Sequence, residues 1–166
     1  MARGVIAALA IVSFLFSTPQ AFAQDAANSI VGVWKMTSWS RKEVETGKVE
    51  QLMGANPSGL VIYTRGGAVS SFVTAEDRKA SGTPPMKDED RIALFSTMYA
   101  YSGSYTVEGR KLTTRIENSW NKAWNGNVIT GEMEISGKKL TTTSAPTAAA
   151  KDGRSVIFIH TFDRVE

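Results

Sequence analysis

Apolar and polar residues alternate along most of this chain, and the alternation breaks into short runs bounded by turn residues. Ile30 to Val44 reads as a long first strand and Val49 to Met53 as a short second one. Gly59 to Thr64 (GLVIYT) and Ala68 to Val73 flank Arg65-Gly66-Gly67, which predicts a hairpin. The period then changes. Ala75 to Met86 is a polar loop with two prolines near its end, and Lys87 to Tyr99 reads as the helix of the chain. Asp88, Glu89 and Asp90 fill its first turn, where the helix dipole favours negative charge, and Ile92, Phe95 and Met98 (with Tyr99) recur at helical spacing. That stripe predicts a helix lying against the domain. Strands return at Gly103 to Val107, Lys111 to Trp120, Val128 to Ile135, Lys139 to Ser144 and Arg154 to Arg164. They are separated by the turns Glu108-Gly109-Arg110 and Ser136-Gly137-Lys138, and by the loops NKAWNGN and APTAAAKDG. Nine strands and one short helix near 87–99 predict a mainly β domain. Hairpins in sequence order favour a single up-and-down antiparallel barrel of about 8–9 strands, whose closure removes exposed sheet edges.

The first residues do not fit this pattern. Arg3 precedes an apolar run from Val5 to Phe16, and Ala21-Phe22-Ala23 gives a small-x-small site. This predicts a cleavable secretory signal over 1–23, a short leader over 24–29 and a barrel domain over 30–166. Twelve apolar residues reach only about 18 Å, short of a ~30 Å hydrocarbon core, so no stable membrane insertion is expected after cleavage. The expected location is the periplasm or the outside of the cell. Losing Arg3 takes the formal charge from +3 to +2. So small an excess, without a basic run, gives no reason to expect nucleic acid as a partner. There are 0 cysteines, which excludes disulfides and thiolate metal sites. The core alone must hold the domain.

The two ends of the domain carry a more specific signal. Gly32-Val33-Trp34 opens the first strand, and Arg164 lies near the end of the last. The segments VGVWKMTSW, GLVIYTRGGAVS, YAYSGSYTVEG, NSWNKAW and FDRV occur in that order over nearly all of residues 30–165. This set resembles the bacterial lipocalin-like domain family. The resemblance implies a calycin-type barrel with a short helix beside it, in which Gly32, Trp34 and Arg164 serve closure, and a habit of binding small molecules. The chain departs from the family pattern in having Arg115 and no histidine in the strand after the Y-x-G-x-Y segment, and Gly66 and Val69 in the hairpin.

Little chemistry is on offer. His160 is the single histidine, so a three-histidine zinc site is excluded, and no metal or cofactor is expected. There is no G-x-S-x-G elbow, G-x-G-x-x-G or P-loop. His160 alternates with Val156, Phe158 and Phe162, and periodicity leaves open which face of that strand looks inward. Arg115 and Glu117 share a face opposite Leu112, Thr114 and Ile116; were that face interior, Arg115 would anchor an anionic group. Trp39, of opposite parity to Trp34, should face outward unless a bulge intervenes. The aromatic residues form the most suggestive set. Tyr63, Tyr99, Tyr101, Tyr105, Trp120 and Trp124, with Arg115 and His160, are the candidate ligand contacts. The expected function is therefore binding of a small hydrophobic or aromatic molecule. An isomerase-like or cyclase-like reaction chamber and a loop-based protein-interaction module are the alternatives, and the oligomeric state is left open.

Overall fold

The computed structural model describes residues 29–78, 85–148 and 153–166. The predicted signal over 1–23 and most of the leader lie outside the described residues, as do parts of the two predicted loops. Alternation becomes strand nearly everywhere it was read. Among the described residues the strands are β1 (Gly32–Glu43), β2 (Val49–Gln51), β3 (Ser58–Tyr63), β4 (Ala68–Thr74) and β5 (Met98–Glu108). They continue with β6 (Lys111–Ser119), β7 (Val128–Ser136), β8 (Lys139–Ser144), β9 (Thr147–Ala148) and β10 (Ser155–Arg164). The helix α1 (Asp88–Ser96) and the 3-10 turn Lys122–Trp124 accompany them, and Ser29 and Ile30 are also helical.

The sheet runs in the order β2-β1-β3-β4-β5-β6-β7-β8-β10-β9, and β1 also pairs with β10. That last pairing closes an antiparallel barrel of eight strands, with β2 and β9 as short additions outside the ring. β1 reaches both neighbours because it is long. Gly32 to Lys35 pair with β3, Ser40 to Lys42 with β2, and Trp34 to Glu43 with β10.

One end of the barrel is sealed. Trp34 is 0 % exposed, its indole N–H donates to the Ile30 carbonyl at 2.8 Å, and Arg164 stacks over its ring at 4.0 Å. Trp34 and Arg164 are direct cross-strand partners, so the register itself aligns the cation with the ring. Arg164 also donates to the Val31 carbonyl at 3.0 Å and to that of Ser29. The expected closure is therefore present, and it ties the first strand to the last. Gly32 belongs to it for a backbone reason: its φ is +141°, and a Cβ there would lie 2.3 Å from the Glu166 carbonyl oxygen.

Three elements differ from the sequence expectation. The helix ends at Ser96, and Met98 to Ser102 belong to β5, pairing with Thr74 to Ser70 of β4. Sheet pairing wins over helical spacing there because Tyr99 is 8 % exposed in the core, whereas α1 buries no residue and leaves Ile92 66 % exposed. β9 forms inside a segment read as loop, by adding to Ser155 and Val156. The register of β1 also shifts between Met36 and Ser38. Thr37 is the extra residue, and its hydroxyl and that of Ser38 both bond Thr161 Oγ1, at 2.8 and 2.7 Å. This bulge turns Trp39 inward, so two tryptophans of opposite parity share the interior.

Candidate functional site

Inward positions of eight strands converge on one cavity of about 80 Å³ inside the barrel. Its wall includes Met36 and Trp39 from β1, Val61 and Tyr63 from β3, and Ser71 from β4. Tyr99 and Tyr101 of β5, Leu112 and Thr114 of β6, Thr142 of β8, and His160 and Phe162 of β10 complete most of it. The last strand thus turns its Val156, His160 and Phe162 face inward, which settles the orientation that periodicity left open.

Aromatic rings crowd the end opposite Trp34. Tyr99 is the hub, with ring centroids 4.8 Å from Trp39, 5.4 Å from Tyr101, 4.7 Å from Trp120 and 5.2 Å from Trp124. Edge-to-face and tilted contacts of this kind each add about 0.5–1.5 kcal/mol beyond area burial. Trp120 and Trp124 do not reach the cavity wall; they cover Tyr99 from outside. Trp124 is placed by the 3-10 turn, where the Asn121 side chain accepts from the Ala123 N–H at 3.1 Å. Trp120 Nε1 donates to the Phe95 carbonyl at 3.3 Å and its ring lies 6.2 Å from that of Phe95. Of the predicted stripe Phe95 alone docks α1 on the rim, while Ile92 is exposed and Met98 belongs to β5; Arg78 adds a bond to the Leu94 carbonyl at 3.0 Å.

The other candidates separate. Tyr63, Tyr99, Tyr101 and His160 line the cavity. Tyr105 lies beside Tyr63 at 4.9 Å but spends its hydroxyl on the Thr64 carbonyl, at 2.8 Å, and is part of the wall's support. Arg115 is exposed on the outer face of β6, because Leu112, Thr114 and Ile116 take the inner face. It is not placed to anchor a ligand inside. Trp39 is the aromatic cavity residue that sequence reading placed outside, since the Thr37 bulge leaves no mark on the alternation; Ser71 and Thr114 were not among the candidates either.

The electrostatics are those of a neutral chamber. Glu132 also borders the cavity, but its side chain is 71 % exposed and faces Arg110 at 3.7 Å. No other acidic or basic side chain except His160 is on the wall. Thr142 Oγ1 bonds His160 Nδ1 at 3.1 Å, and burial pushes the imidazole down to about 4, so it is uncharged near neutral pH. Burial raises the Tyr101 phenol to about 12. Burial also raises Tyr63 and Tyr99, Tyr63 further through the neighbouring phenols Tyr101, Tyr105 and Tyr99. All four tyrosines of the chain therefore keep their protons. Among the described residues, the hydroxyls of Tyr63, Tyr99, Tyr101, Ser71 and Thr114 have no hydrogen-bond partner. The Trp39 indole N–H is also unpartnered but is sealed, its ring flanked by Tyr99 and by His160 at 4.9 Å. Among the described residues no cluster of acids and histidine converges as a metal site.

A family model, that of the lipocalin-like domain, matches residues 31–165. No curated protein matches the chain.

Proposed function

The chain belongs to the lipocalin-like domain family, and from that premise we propose that its barrel binds a small uncharged molecule in the cavity beneath the aromatic rim. The observation that carries this reading is a cavity inside a closed barrel, sealed at one end by Trp34 and Arg164, with walls of rings and neutral hydroxyls. Size bounds the ligand. About 80 Å³ falls well short of the ~300–1,000 Å³ of drug-sized sites. A ligand seats a compact group in the cavity and rests the remainder among Tyr99, Trp120 and Trp124. Charge bounds it too, since no side chain inside offers a counter-ion and an unpaired buried ion is strongly disfavoured.

Native mass spectrometry of the purified protein, followed by solvent extraction, tests the reading. The expected result is a co-purified small molecule, or stoichiometric uptake of Nile red displaced by neutral metabolites. A protein that carries no molecule and takes up no dye would overturn it. The signal-like residues 1–23 support a site of action in the periplasm or beyond. Protein recovered from the exported fraction should begin at Gln24; an intact N-terminus there would refute this part.

A further inference from the structure

Building on that reading, we propose that Tyr63, Ser71 and Thr114, with Tyr99 and Tyr101, form a hydroxyl cradle that selects ligands bearing an uncharged oxygen function, of the ketone or alcohol class, over hydrocarbons and over carboxylates.

Tyr63, Ser71, Thr114 and Tyr99 are 4, 7, 5 and 8 % exposed, so bulk water does not reach them freely. Polar groups inside native proteins nearly always have a partner, whether protein, water or ligand. Here several hydroxyls converge on one small cavity from β3, β4, β5 and β6 without bonding the protein, and their oxygens open onto the cavity instead of being sealed like the Trp39 indole N–H, so a molecule in the cavity can reach them. Tyr105 shows the contrast: two positions beyond Tyr101 on the same face of β5, its hydroxyl is taken up by a backbone carbonyl. The placement also follows from register. Ser71 is the direct cross-strand partner of Tyr101, and Thr114 that of Tyr105. Alternation on neighbouring strands therefore brings these hydroxyls together on the inner face. Hydroxyls both donate and accept, so the cradle suits a carbonyl or an alcohol. A hydrocarbon would cover the hydroxyls and return no hydrogen bond. A carboxylate would meet no cationic side chain on the wall, Arg115 being exposed on the outer face of β6.

The test follows the Trp39 indole N–H signal in ¹H–¹⁵N spectra, because Trp39 is the tryptophan on the cavity wall. Three probes of one shape are titrated at pH 7: cyclohexanone, methylcyclohexane and cyclohexanecarboxylate. Cyclohexanone should shift that signal and bind about tenfold or more tighter than either of the others, the weight of one good hydrogen bond. Tyr63→Phe and Ser71→Ala should each narrow the ketone preference several-fold, while Arg115→Ala on the outer face leaves it unchanged. Equal or tighter binding of methylcyclohexane or the carboxylate would overturn the cradle while leaving the barrel a binder. No shift with any probe, joined to an empty native mass spectrum, would overturn the binding reading as well.

Discussion

Replacing Trp34 by alanine removes the ring that seals the closed end. Its side chain is 0 % exposed, and full truncation of a buried tryptophan costs about 3–5 kcal/mol in lost burial and residual cavity. Two further losses accompany it. The Ile30 carbonyl loses its 2.8 Å donor, and the Arg164 guanidinium loses the face it covers at 4.0 Å. The expected total is about 4 kcal/mol or more, a large share of the ~5–15 kcal/mol by which domains of this size are stable. Arg164→Met should cost less, about 1–2 kcal/mol, through the ring contact and the bonds to the Val31 and Ser29 carbonyls. A double-mutant cycle with Trp34→Leu isolates the cation–ring contribution, expected at about 0.5–2 kcal/mol. Urea unfolding followed by far-ultraviolet circular dichroism reads all four variants, with the m-value unchanged if the denatured state is unaffected. A loss below about 1.5 kcal/mol in Trp34→Ala, or a coupling energy near zero, would refute the closure argument.

Gly103→Ala should unfold the barrel or cost several kcal/mol by the same assay, because a Cβ there would lie 1.9 Å from the Arg115 carbonyl oxygen in the neighbouring strand; a cost under about 1 kcal/mol would contradict the close strand approach. Tyr63→Phe should leave stability within about 0.5 kcal/mol or raise it, since the hydroxyl bonds no protein group; a large loss would reveal a structural partner for it. His160 gives a pH dependence. Its folded pKa of about 4 lies below the ordinary ~6.5, so the unfolded chain binds the proton more readily. The stabilisation is fully present above pH ~6.5 and is lost as pH falls from there through about 4, by up to about 3 kcal/mol. His160→Gln should flatten that part of the stability profile, and a profile identical to the parent would sink the assignment.

Period-2 alternation carried the barrel, because each strand has one buried face and the turns between them use glycine. The Trp34–Arg164 closure was also expected, but through the resemblance to the lipocalin-like family; the pattern alone placed the two residues in the first and last strands. Four tyrosines and two rim tryptophans were identified as a set, and Tyr63, Tyr99 and Tyr101 do meet on the cavity wall. What was hidden depends on long-range pairing. The Thr37 bulge is specified by Thr161, more than a hundred residues away, so no local signal predicts that Trp39 points inward. The end of α1 is set by β4, which draws Met98 and Tyr99 into the sheet against their helical spacing. Arg115 illustrates the limit of a single strand's alternation: two faces are visible, and which is interior is decided by the strands on either side. The hydroxyl cradle was unreadable for the same reason, as Ser71 and Thr114 are commonplace residues until the register assembles them.

Barrel closure also has a consequence for how the chain reaches this state. Nearly every strand pairs with one close to it in sequence, so hairpins from β3 to β8 form as soon as their residues are available. The seam between β1 and β10 is different, linking positions as far apart as Trp34 and Arg164. Contacts of that separation form slowly, because the loop entropy is lost before the contact stabilises anything. The start of β1 can pair with β3 early, but its β10-facing edge has no partner until the last strand has been made. The open intermediate is the form most exposed to aggregation and the form best suited to a holding chaperone. Variants that weaken the seam should therefore reduce the yield of soluble protein before they measurably alter what the finished barrel binds.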